Sequence, residues 1–502
     1  MESGGDLCTL GVAEEDQNSL MERTMTMNRR DFLKAAGCLA GAAVATCAPR
    51  RICAAEEGSR KPNVVFVFAD QWRAQAAGVA GDPNVRTPTV DRMAAQGIRF
   101  TTAVSTCPVC SPYRASLLTG RYPLTHGVFL NDVPLGAEAV SIAQAFKSAG
   151  YRTGYIGKWH VDGHGRSNFI PPERRQGFEF WRAMECTHAY NRSYYYADEN
   201  VKLLWDGYDA AAQTREAQGY IRQHSGKEPF LLVLSWGPPH DPYQTAPEKY
   251  AQMYKPDDLT LRPNVPQESA ARTRKDLAGY YAHCSALDGC LADLWQTLRE
   301  CGIEDDTVFV FTSDHGDMLG SQDQRNKQRP YDEAALVPLI IHWPRLGKGR
   351  SIATPIGTPD LMPTLLGLAG IEIPKTVEGT DFSGHLRGGP APGDGAALFA
   401  CYAPFGQWTR AAGGREYRGV RTARYSYVRS LSGPWLLFDN EADPYQQKNL
   451  CGDPQHAAVE KQMEELLRLK LRQTHDDFRP AEEYIAKWKY VPDKSGTVPY
   501  AP

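Results

Sequence analysis

Two short apolar segments of this chain each end in side chains that can do chemistry. Asp70 and Gln71 follow the run NVVFVF, and Asp314 and His315 follow the run VFVF. Both runs are rich in β-branched and aromatic residues, which predicts buried strands. A single Asp after a strand is often only a turn former. Two strands that each deliver a pair of polar groups instead predict a site at the carboxyl edge of a sheet, where α/β proteins place their chemistry.

A cysteine with distinctive neighbours lies at position 110. The segment from Cys110 to Arg121 reads CSPYRASLLTGR. Taken alone, Cys110 could be a small buried residue, because free cysteine often packs as a hydrophobe. Cys107 and Cys110 also form a Cys-x-x-Cys pair, but this pair has half the ligands of a zinc site, and the pattern around a thioredoxin-like motif is absent. The Pro and Arg that follow at fixed offsets, and then Thr-Gly-Arg, favour another role.

This segment resembles the signature of the sulfatase family, Cys-x-Pro-x-Arg followed by Thr-Gly-Arg. The resemblance covers about residues 61–450, and the motifs occur in the family's order. It implies that a maturation enzyme oxidises Cys110 to Cα-formylglycine, an aldehyde that hydrates to a geminal diol. One hydroxyl would attack sulfur, and the other would be kept for the release of sulfate.

The same resemblance implies a metal centre. Asp70 and Gln71 resemble the family's first pair of ligands, where many relatives have a second Asp, and Asp314 and His315 match the second pair, where Asn often replaces His. With the modified Cys110, these residues would form an oxygen-rich shell that suits Ca²⁺, and the imidazole would also tolerate Mg²⁺ or Mn²⁺. Gln71 lowers the negative charge of the shell, although an amide oxygen can still ligate a hard cation.

Further family motifs supply cations and proton carriers. Lys158 and His160 lie in a Gly-Lys-Trp-His segment, His240 resembles the histidine that faces the ester, and Lys327 lies four residues before Tyr-Asp-Glu. Fixed cations stabilise the charge that develops when a sulfate monoester is hydrolysed, and imidazoles can move the protons. The resemblance implies that Arg114 holds the nucleophile, that His240 or a nearby lysine helps the alcohol to leave, and that His160 helps to release sulfate.

Substrate specificity should come from segments outside these motifs. Residues 181–208 are rich in aromatic side chains and include Arg192 and Tyr195, while Trp408 and Arg410 lie in the C-terminal part, which in sulfatases overhangs the active site. Aromatic faces stack on sugars, and Arg pairs with carboxylate or sulfate. Packing of the first segment's aromatics on the domain is an equal alternative. We predict an exo-acting carbohydrate sulfatase for fragments of a glycosaminoglycan or algal glycan, with choline sulfate or an aryl sulfate as alternatives.

Two other functions are compatible with the same motifs. Phosphonate monoester and phosphodiester hydrolases share the fold, the nucleophile, and metal-site features such as Asp-Gln and Asp-His. A catalytically inactive glycan-binding protein could also keep the fold, but no core catalytic position is lost in this chain. Hydrolysis of aryl sulfate compared with aryl phosphate and phosphonate diesters separates the first alternative. Turnover that vanishes in Cys110→Ala excludes the second.

The elements that must position these residues alternate along the chain. Its 502 residues suit one large α/β domain and a smaller one. Apolar strands and helical patterns alternate over residues 61–378, which predicts a large, mostly parallel sheet sandwiched by helices. The resemblance implies an alkaline-phosphatase-like fold. Residues 379–394 are Gly/Pro-rich, which predicts a linker. Residues 395–480 predict a small C-terminal α+β subdomain made of an antiparallel sheet and a helix. Residues 481–502 form a tail without a clear periodic pattern.

Residues 1–55 predict an N-terminal extension and an export signal. The segment 28–34, NRRDFLK, resembles a twin-arginine motif, and Cys53-Ala54-Ala55 offers small residues for cleavage. The Ala/Gly-rich segment 35–47 between them is too short for a stable membrane span. These features predict the twin-arginine translocase as a partner and a periplasmic or extracellular location. Lipoprotein anchoring at Cys47 is an alternative, although Thr before that Cys is unusual.

Charge and cysteine content exclude other classes. The formal net charge of −3 gives no electrostatic case for nucleic-acid binding. Eight cysteines follow the predicted cleavage site, and modification of Cys110 leaves an odd number, so the chain is not a disulfide scaffold. Twin-arginine substrates fold before export in a reducing cytoplasm. This agrees with few disulfides and with oxidation of Cys110 by a cytoplasmic maturation enzyme.

Overall fold

The computed structural model describes residues 60–501, and the predicted extension and export signal at 1–55 lie outside the described residues. Over this range a large α/β region is followed by a small antiparallel sheet with its own helix. The predicted fold class, a large mostly parallel sheet between helices with a small C-terminal α+β subdomain, is confirmed.

Residues 60–501 form fifteen strands and twelve α-helices. The strands are β1 Asn63–Asp70, β2 Ile98–Val104, β3 Arg152–Lys158, β4 Phe180–Met184, β5 Tyr194–Tyr195, β6 Leu203–Leu204, β7 Phe230–Pro239, β8 Thr307–Ser313, β9 Leu336–His342, β10 Arg350–Ile352, β11 Ile356–Gly357, β12 Ala396–Cys401, β13 Tyr417–Thr422, β14 Tyr425–Ser430 and β15 Gly433–Asp439. The α-helices are α1 Pro88–Gln96, α2 Cys110–Thr119, α3 Pro123–His126, α4 Ile142–Ser148, α5 Asp209–His224, α6 Glu248–Ala251, α7 Ala270–Glu300, α8 Asp332–Ala335, α9 Thr358–Ala369, α10 Ser383–Leu386, α11 Ala457–Gln473 and α12 Ala481–Trp488.

Nine of the described strands form the large sheet. Eight of them follow the order β10-β2-β9-β8-β1-β7-β3-β4, and β11 pairs with β2. Neighbouring strands are parallel except around β9, which is antiparallel to both β2 and β8. Strands β7 and β8 are buried along their whole length, and β1 along all but its first residue. This burial on both faces explains why their sequences are continuous apolar runs rather than alternating patterns.

Each face of the large sheet carries its own hydrophobic core. Phe66 of β1 belongs to one core, which includes apolar residues of α2, α4 and α9. Val65, the preceding residue, belongs to the other core, with residues of α1, α5 and α7. Successive side chains of a strand point to opposite faces. Helices therefore cover both faces, and the carboxyl edge of the sheet is left for the polar residues that end β1, β3, β7 and β8.

A buried carboxylate joins the two helices α1 and α7. Asp288 of α7 accepts hydrogen bonds from the backbone N–H groups of Thr89, at 2.9 and 3.0 Å, and of Val90, at 2.8 Å. Asp288→Ala would leave these two buried donors unpaired, so we expect the free energy of unfolding to fall by roughly 2–4 kcal/mol. Urea denaturation at neutral pH measures this change. The matched variant Asp293→Ala, at an exposed position of the same helix, should change stability by less than about 0.5 kcal/mol, and equal losses would contradict the assignment.

The small subdomain packs against the large one through a sheet face. Strands β12-β13-β14-β15 form an antiparallel sheet in that order. Met463 and Leu467 of α11 cover one face. On the other face, Phe399 and Tyr417 share a core with Val104, at the end of β2. The end of β2 is followed by the loop that leads to α2, so the C-terminal subdomain lies beside the candidate nucleophile.

Two segments are more ordered than their sequences indicate. The predicted linker 379–394 contains α10, and Phe382 and Leu386 are buried in the main core. The tail contains α12, whose residue Tyr484 packs against the same core. Both helices are short, and a short helix gives too few turns for a periodic pattern to be recognised.

The described residues show neither disulfides nor a membrane-spanning helix. All eight cysteines between residues 60 and 501 are unpaired. Within the same range, every helix is too short or too polar to cross a bilayer.

Candidate active site

The candidate site lies where four neighbouring parallel strands end. Strands β8, β1, β7 and β3 are adjacent in the large sheet. Ala69 pairs with Ser313 across β1 and β8, so the residues that follow, Asp70 and Asp314, are neighbours. The backbone N–H of His240, just after β7, donates to the Asp70 carbonyl at 3.1 Å. Parallel pairing therefore gathers at one edge the motifs that are far apart along the chain.

Cys110 occupies the first turn of α2 and is 1% exposed. Pro112 also lies in this first turn, where its missing N–H leaves no helical hydrogen bond unmade. Arg114 lies four residues after Cys110, so both side chains point to the same side of the helix. The amino end of a helix favours a negative charge. The Cys-x-Pro-x-Arg spacing thus presents residue 110 and a cation together, at a helix end suited to an anionic oxygen.

Arg114 braces the two carboxylates of the site. Its Nη2 lies 3.2 Å from Asp70 Oδ2 and 3.1 Å from Asp314 Oδ2, and its Nη1 donates to the Lys158 carbonyl and to Ser235 Oγ, both at 2.7 Å. The guanidinium is 1% exposed. Because its hydrogen bonds go to protein groups, Arg114 acts as a positioning residue that fixes the orientation of both carboxylates.

Four side chains form a group able to hold a divalent cation. Ligand atoms of Asp70, Cys110, Asp314 and His315 all lie within 4.8 Å of one another. His315 Nδ1 donates to the Gly316 carbonyl at 2.9 Å, which leaves Nε2 directed at Cys110 Sγ, 3.3 Å away. A ring nitrogen fixed in this way is typical of a metal-ligating histidine. Two carboxylates, an imidazole and an oxygen on residue 110 fit a hard cation such as Ca²⁺, Mg²⁺ or Mn²⁺.

The charges of Asp70 and Asp314 also indicate a site for a divalent cation. Burial and the nearby Asp70 raise the pKa of Asp314 to about 6. Burial alone would raise the pKa of Asp70 too, but Lys158 and His240 hold it well below its usual range. Two like charges at this distance repel in a buried site, and a cation between them relieves the repulsion.

Gln71 is placed beside this group. Its Nε2 donates to Asp317 Oδ2 at 2.6 Å, and its Oε1 accepts from Lys327 Nζ at 2.9 Å. Asp317 also accepts from the Tyr243 hydroxyl at 2.6 Å. The amide oxygen of Gln71 is thus engaged by Lys327 in this structure, and its role as a metal ligand stays a prediction. Asp317, two residues after His315, therefore holds Gln71 in place.

Lys327 and His240 form a pair directly beside residue 110. Lys327 Nζ lies 2.7 Å from His240 Nε2 and 3.3 Å from Cys110 Sγ. His240 Nδ1 lies 2.9 Å from the Asp241 carbonyl, so the hydrogen bonds assign the proton to Nδ1 and the acceptor role to Nε2. Burial and Lys327 hold the pKa of His240 well below its usual range. Burial would lower the pKa of Lys327, but Cys110 and Asp70 raise it, so the lysine carries the proton.

His160, another histidine of the cavity, differs from His240 in its pKa. His160 Nε2 lies 2.9 Å from Asp132 Oδ1. Burial would lower its pKa, but Cys186 and Asp132 raise it to about 10. Its Nδ1 is buried without a hydrogen-bond partner among the described residues. Lys158 Nζ, on the same segment, lies 2.5 Å from Asp70 Oδ2. A protonated His160 suits a donor to a bound anion, whereas the release role predicted from the family requires it to accept a proton.

These residues line a cavity of about 280 Å³. The cavity includes five residues predicted from the sequence motifs, Cys110, Lys158, His160, His240 and Lys327, together with residues outside those motifs. The further lining residues are Asn131, Asp132, Arg166, His188, Gln328, Phe405, Gly406, Gln407 and Thr497. Three larger surface hollows, of about 670, 620 and 340 Å³, contain none of the predicted catalytic or metal-binding residues. The chemistry of the lining, rather than its volume, identifies the site.

The four residues predicted to bind substrate lie outside the lining of this cavity. Trp408 is 4% exposed and packs within the small subdomain. Arg410 is paired with two glutamates. The Tyr195 ring is stacked on Trp205, with centroids 3.9 Å apart, and Arg192 is exposed. Their contact with a sugar stays a prediction, while Gly406 and Gln407, next to Trp408, do reach the cavity.

The fold and the site define a hydrolase of the alkaline-phosphatase-like superfamily, with Cys110 at a helix end that faces a group of side chains able to hold a metal ion. The chain belongs to the sulfatase family. The family model described as Sulfatase matches residues 62–371, more than half of the chain. A second model, described as N-sulphoglucosamine sulphohydrolase, C-terminal, matches residues 320–473. The chain is therefore a sulfuric ester hydrolase.

Individual relatives are similar over nearly the whole chain. An ulvan-active sulfatase of Formosa agariphila is 44% identical over 450 residues, which cover 88% of this chain and 87% of the relative. An endo-4-O-sulfatase of Bacteroides thetaiotaomicron is 28% identical and covers 84% and 93%. A solved structure, described under the metabolism of multiple glycosaminoglycans by Bacteroides thetaiotaomicron, has a TM-score of 0.77 at 27% identity and covers 85% of this chain and 99% of that one.

Proposed function

We propose that this sulfatase removes sulfate from a carbohydrate, with formylglycine formed from Cys110 and a divalent cation held by Asp70, Asp314 and His315. The observation that carries the proposal is the position of Cys110. It is buried at the amino end of α2, within 4.8 Å of the ligand atoms of those three residues. A cation bound there would touch residue 110 directly.

The modified residue and the cation would supply the nucleophile and its activation. When present, the hydrated aldehyde offers one hydroxyl for attack on sulfur and a second for release of sulfate, and the cation stabilises charge on the oxygens. The protein's own contribution is positional and electrostatic. Lys158 is anchored on Asp70, and Lys327 lies 3.3 Å from Cys110 Sγ. Two fixed ammonium groups beside residue 110 suit the oxygens of a sulfate ester.

The leaving alcohol needs a proton, and the pair of Lys327 and His240 can deliver it. The lysine is protonated and the histidine is neutral, with their nitrogens 2.7 Å apart. The protonated lysine can donate a proton to the departing oxygen, and the histidine in contact with it can return a proton to the lysine. Protonated His160, fixed by Asp132, would donate its Nδ1 hydrogen to a sulfate oxygen. This assignment keeps the predicted role of His240 and changes that of His160.

The proposed substrate is a sulfated sugar at the end of a glycan fragment. By their names, one relative is active on ulvan and another is an N-acetylglucosamine-6-O-sulfatase. The cavity of about 280 Å³ lies just below the roughly 300–1,000 Å³ of most ligand pockets, which suits one sulfated ring rather than a longer segment. The proposal includes cytoplasmic maturation, twin-arginine export and a periplasmic or extracellular location, where such polymers are degraded.

We expect defined sulfated saccharides, including ulvan fragments, to be better substrates than an aryl sulfate. A sugar ring makes polar contacts across the cavity that an aryl group lacks, so kcat/KM should be at least roughly tenfold higher for the best saccharide. Sulfate release measured by ion chromatography tests this. The same preparation is assayed with aryl phosphate and phosphonate diesters. A preference for a diester would instead support the hydrolase alternative, and a preference for the aryl sulfate would contradict the carbohydrate substrate.

A further inference from the structure

An arginine without an assigned role lines the active-site cavity. Arg166 lies in the loop after β3 and is solvent-exposed, whereas Cys110 at the base of the same cavity is buried. The guanidinium therefore lies nearer the mouth than the nucleophile does. A sulfate ester that reaches residue 110 would extend its sugar past this side chain.

The position of Arg166 is fixed by one buried residue. Its Nη2 lies 3.2 Å from Cys186 Sγ. The backbone N–H of Cys186, in turn, donates to the Arg166 carbonyl at 3.4 Å. Cys186 follows β4 and is 2% exposed. An exposed arginine usually loses much side-chain entropy when it binds a ligand, and the contact of its Nη2 with Cys186 Sγ reduces that cost.

Among the described ion pairs, none involves Arg166. Nearby arginines are paired, since Arg174 Nε lies 2.7 Å from Asp162 Oδ1 and Arg175 Nη1 lies 3.4 Å from Asp198 Oδ1. A guanidinium has five N–H donors, and Cys186 Sγ accepts from one of them. Most of the hydrogen-bonding capacity of Arg166 is therefore free for a ligand.

The charge of the inner cavity is already sufficient for the sulfate that is cleaved. Lys158, Lys327 and His160 line the cavity together with residue 110. The acid that lines the cavity, Asp132, is hydrogen-bonded to His160 at 2.9 Å. Arg166 adds a further cation at an exposed position of the same cavity.

We propose that Arg166 forms a subsite for a second anionic group of the substrate, either a carboxylate or a second sulfate on the sugar that carries the cleaved ester or on its neighbour. Both groups present oxygens that a guanidinium binds in a bidentate manner. The inference rests on the proposed function and narrows the substrate to acidic or multiply sulfated glycans.

The experiment compares three substrates with the formylglycine-containing enzyme. They are a monosulfated neutral disaccharide, a monosulfated disaccharide with a uronic acid, and a disulfated disaccharide. For each dianionic substrate, we compare its kcat/KM with that of the monosulfated disaccharide of neutral sugars. In Arg166→Gln this ratio should fall roughly 10- to 100-fold for at least one of the two dianionic substrates, mainly through an increase in KM. The substrate whose ratio falls identifies the group. Arg166→Lys should recover part of the ratio.

The matched control is Arg215→Gln, an exposed arginine of α5 that lies outside the cavity lining and near Asp206. It should leave both ratios unchanged. A second readout does not need sugar turnover. A desulfated neutral disaccharide and a desulfated disaccharide with a uronic acid are tested as inhibitors of aryl sulfate hydrolysis. If the carboxylate is the preferred group, the uronic acid disaccharide should inhibit the wild type more strongly than the neutral one. Arg166→Gln should abolish this difference in inhibition.

The outcomes separate this inference from the proposed function. Unchanged ratios in folded Arg166→Gln, with inhibition that is also unchanged, would overturn the subsite. If no saccharide releases sulfate but inhibition by an acidic saccharide depends on Arg166, the carbohydrate substrate would be wrong and the anion subsite supported. If the ratios fall equally in Arg215→Gln, the effect would arise from the overall surface charge and not from Arg166, which would also overturn the subsite.

Discussion

Replacing Cys110 by alanine should reduce sulfate release by roughly 10⁴-fold or more, because removal of a nucleophile leaves only binding and electrostatic effects. Cys110 is 1% exposed and contacts both Lys327 and His315, so neighbouring groups already converge on this position. The measurement is kcat/KM for an aryl sulfate and for the best saccharide. Thermal unfolding of the variant shows whether the loss arises in the site or in the fold.

The neighbouring cysteine provides the matched control. Cys107 is also buried, at 3% exposure, and packs in the main core, so Cys107→Ala should keep activity within about tenfold. Mass spectrometry of the peptide from the native host should show Cys110 without its thiol sulfur and two hydrogens and with one added oxygen. Only unmodified Cys110 in fully active protein, or equal activity of Cys110→Ala and wild type, would rule out the mechanism.

The strands that carry the site could be predicted because they are buried on both faces. Strands β1, β7 and β8 are long runs of Val, Leu and Phe, and such runs are typical of central parallel strands. The polar residues that end them could then be assigned to one edge. The order of the strands could not be deduced, because parallel pairing depends on how the helices cross over the sheet, and a single sequence does not encode it in a local pattern.

The rest of the cavity comes from residues without a motif. Asp132, Arg166 and Thr497 lie in loops and in the tail, and only tertiary packing brings them to Cys110. A loop residue has no periodicity that could mark it. The C-terminal tail reaches the site because Gly406 donates to the Ser495 carbonyl at 2.8 Å, a contact that sequence alone could not predict.

Aromatic composition was an ambiguous guide to substrate binding. The rings of Tyr195 and Trp205, both in the aromatic-rich segment 181–208, stack on each other. Trp408 lies under Arg329, whose guanidinium carbon is 5.4 Å from the centre of its ring. Aromatic side chains satisfy the same stacking preference within the protein as with a ligand. Composition therefore identified aromatic-rich segments without showing whether their faces are free.

Removing the carboxylate of Asp70 should be nearly as damaging as removing the nucleophile. Asp70→Asn keeps the shape but removes the charge that opposes Lys158 and Arg114, at 2.5 and 3.2 Å, and that would bind the cation. A metal and the groups it orients contribute several kcal/mol to such a reaction, so kcat/KM should fall by roughly 10³-fold. Bound metal, measured by inductively coupled plasma mass spectrometry on dialysed protein, should fall in parallel.

The control for Asp70→Asn must also lose a buried carboxylate without touching the site. Asp288→Asn meets this condition, because its partners are backbone N–H groups of α1 and an amide oxygen can still accept from them. It should keep both metal and activity. A chelator should inactivate the wild type, and addition of Ca²⁺, Mg²⁺ or Mn²⁺ in turn should restore activity and identify the ion. Full activity of the wild type after complete removal of metal would contradict a role of the metal in catalysis. The loss of activity in Asp70→Asn would then be explained by the pairing of the carboxylate with Lys158 and Arg114, which Asp70 would serve only to orient.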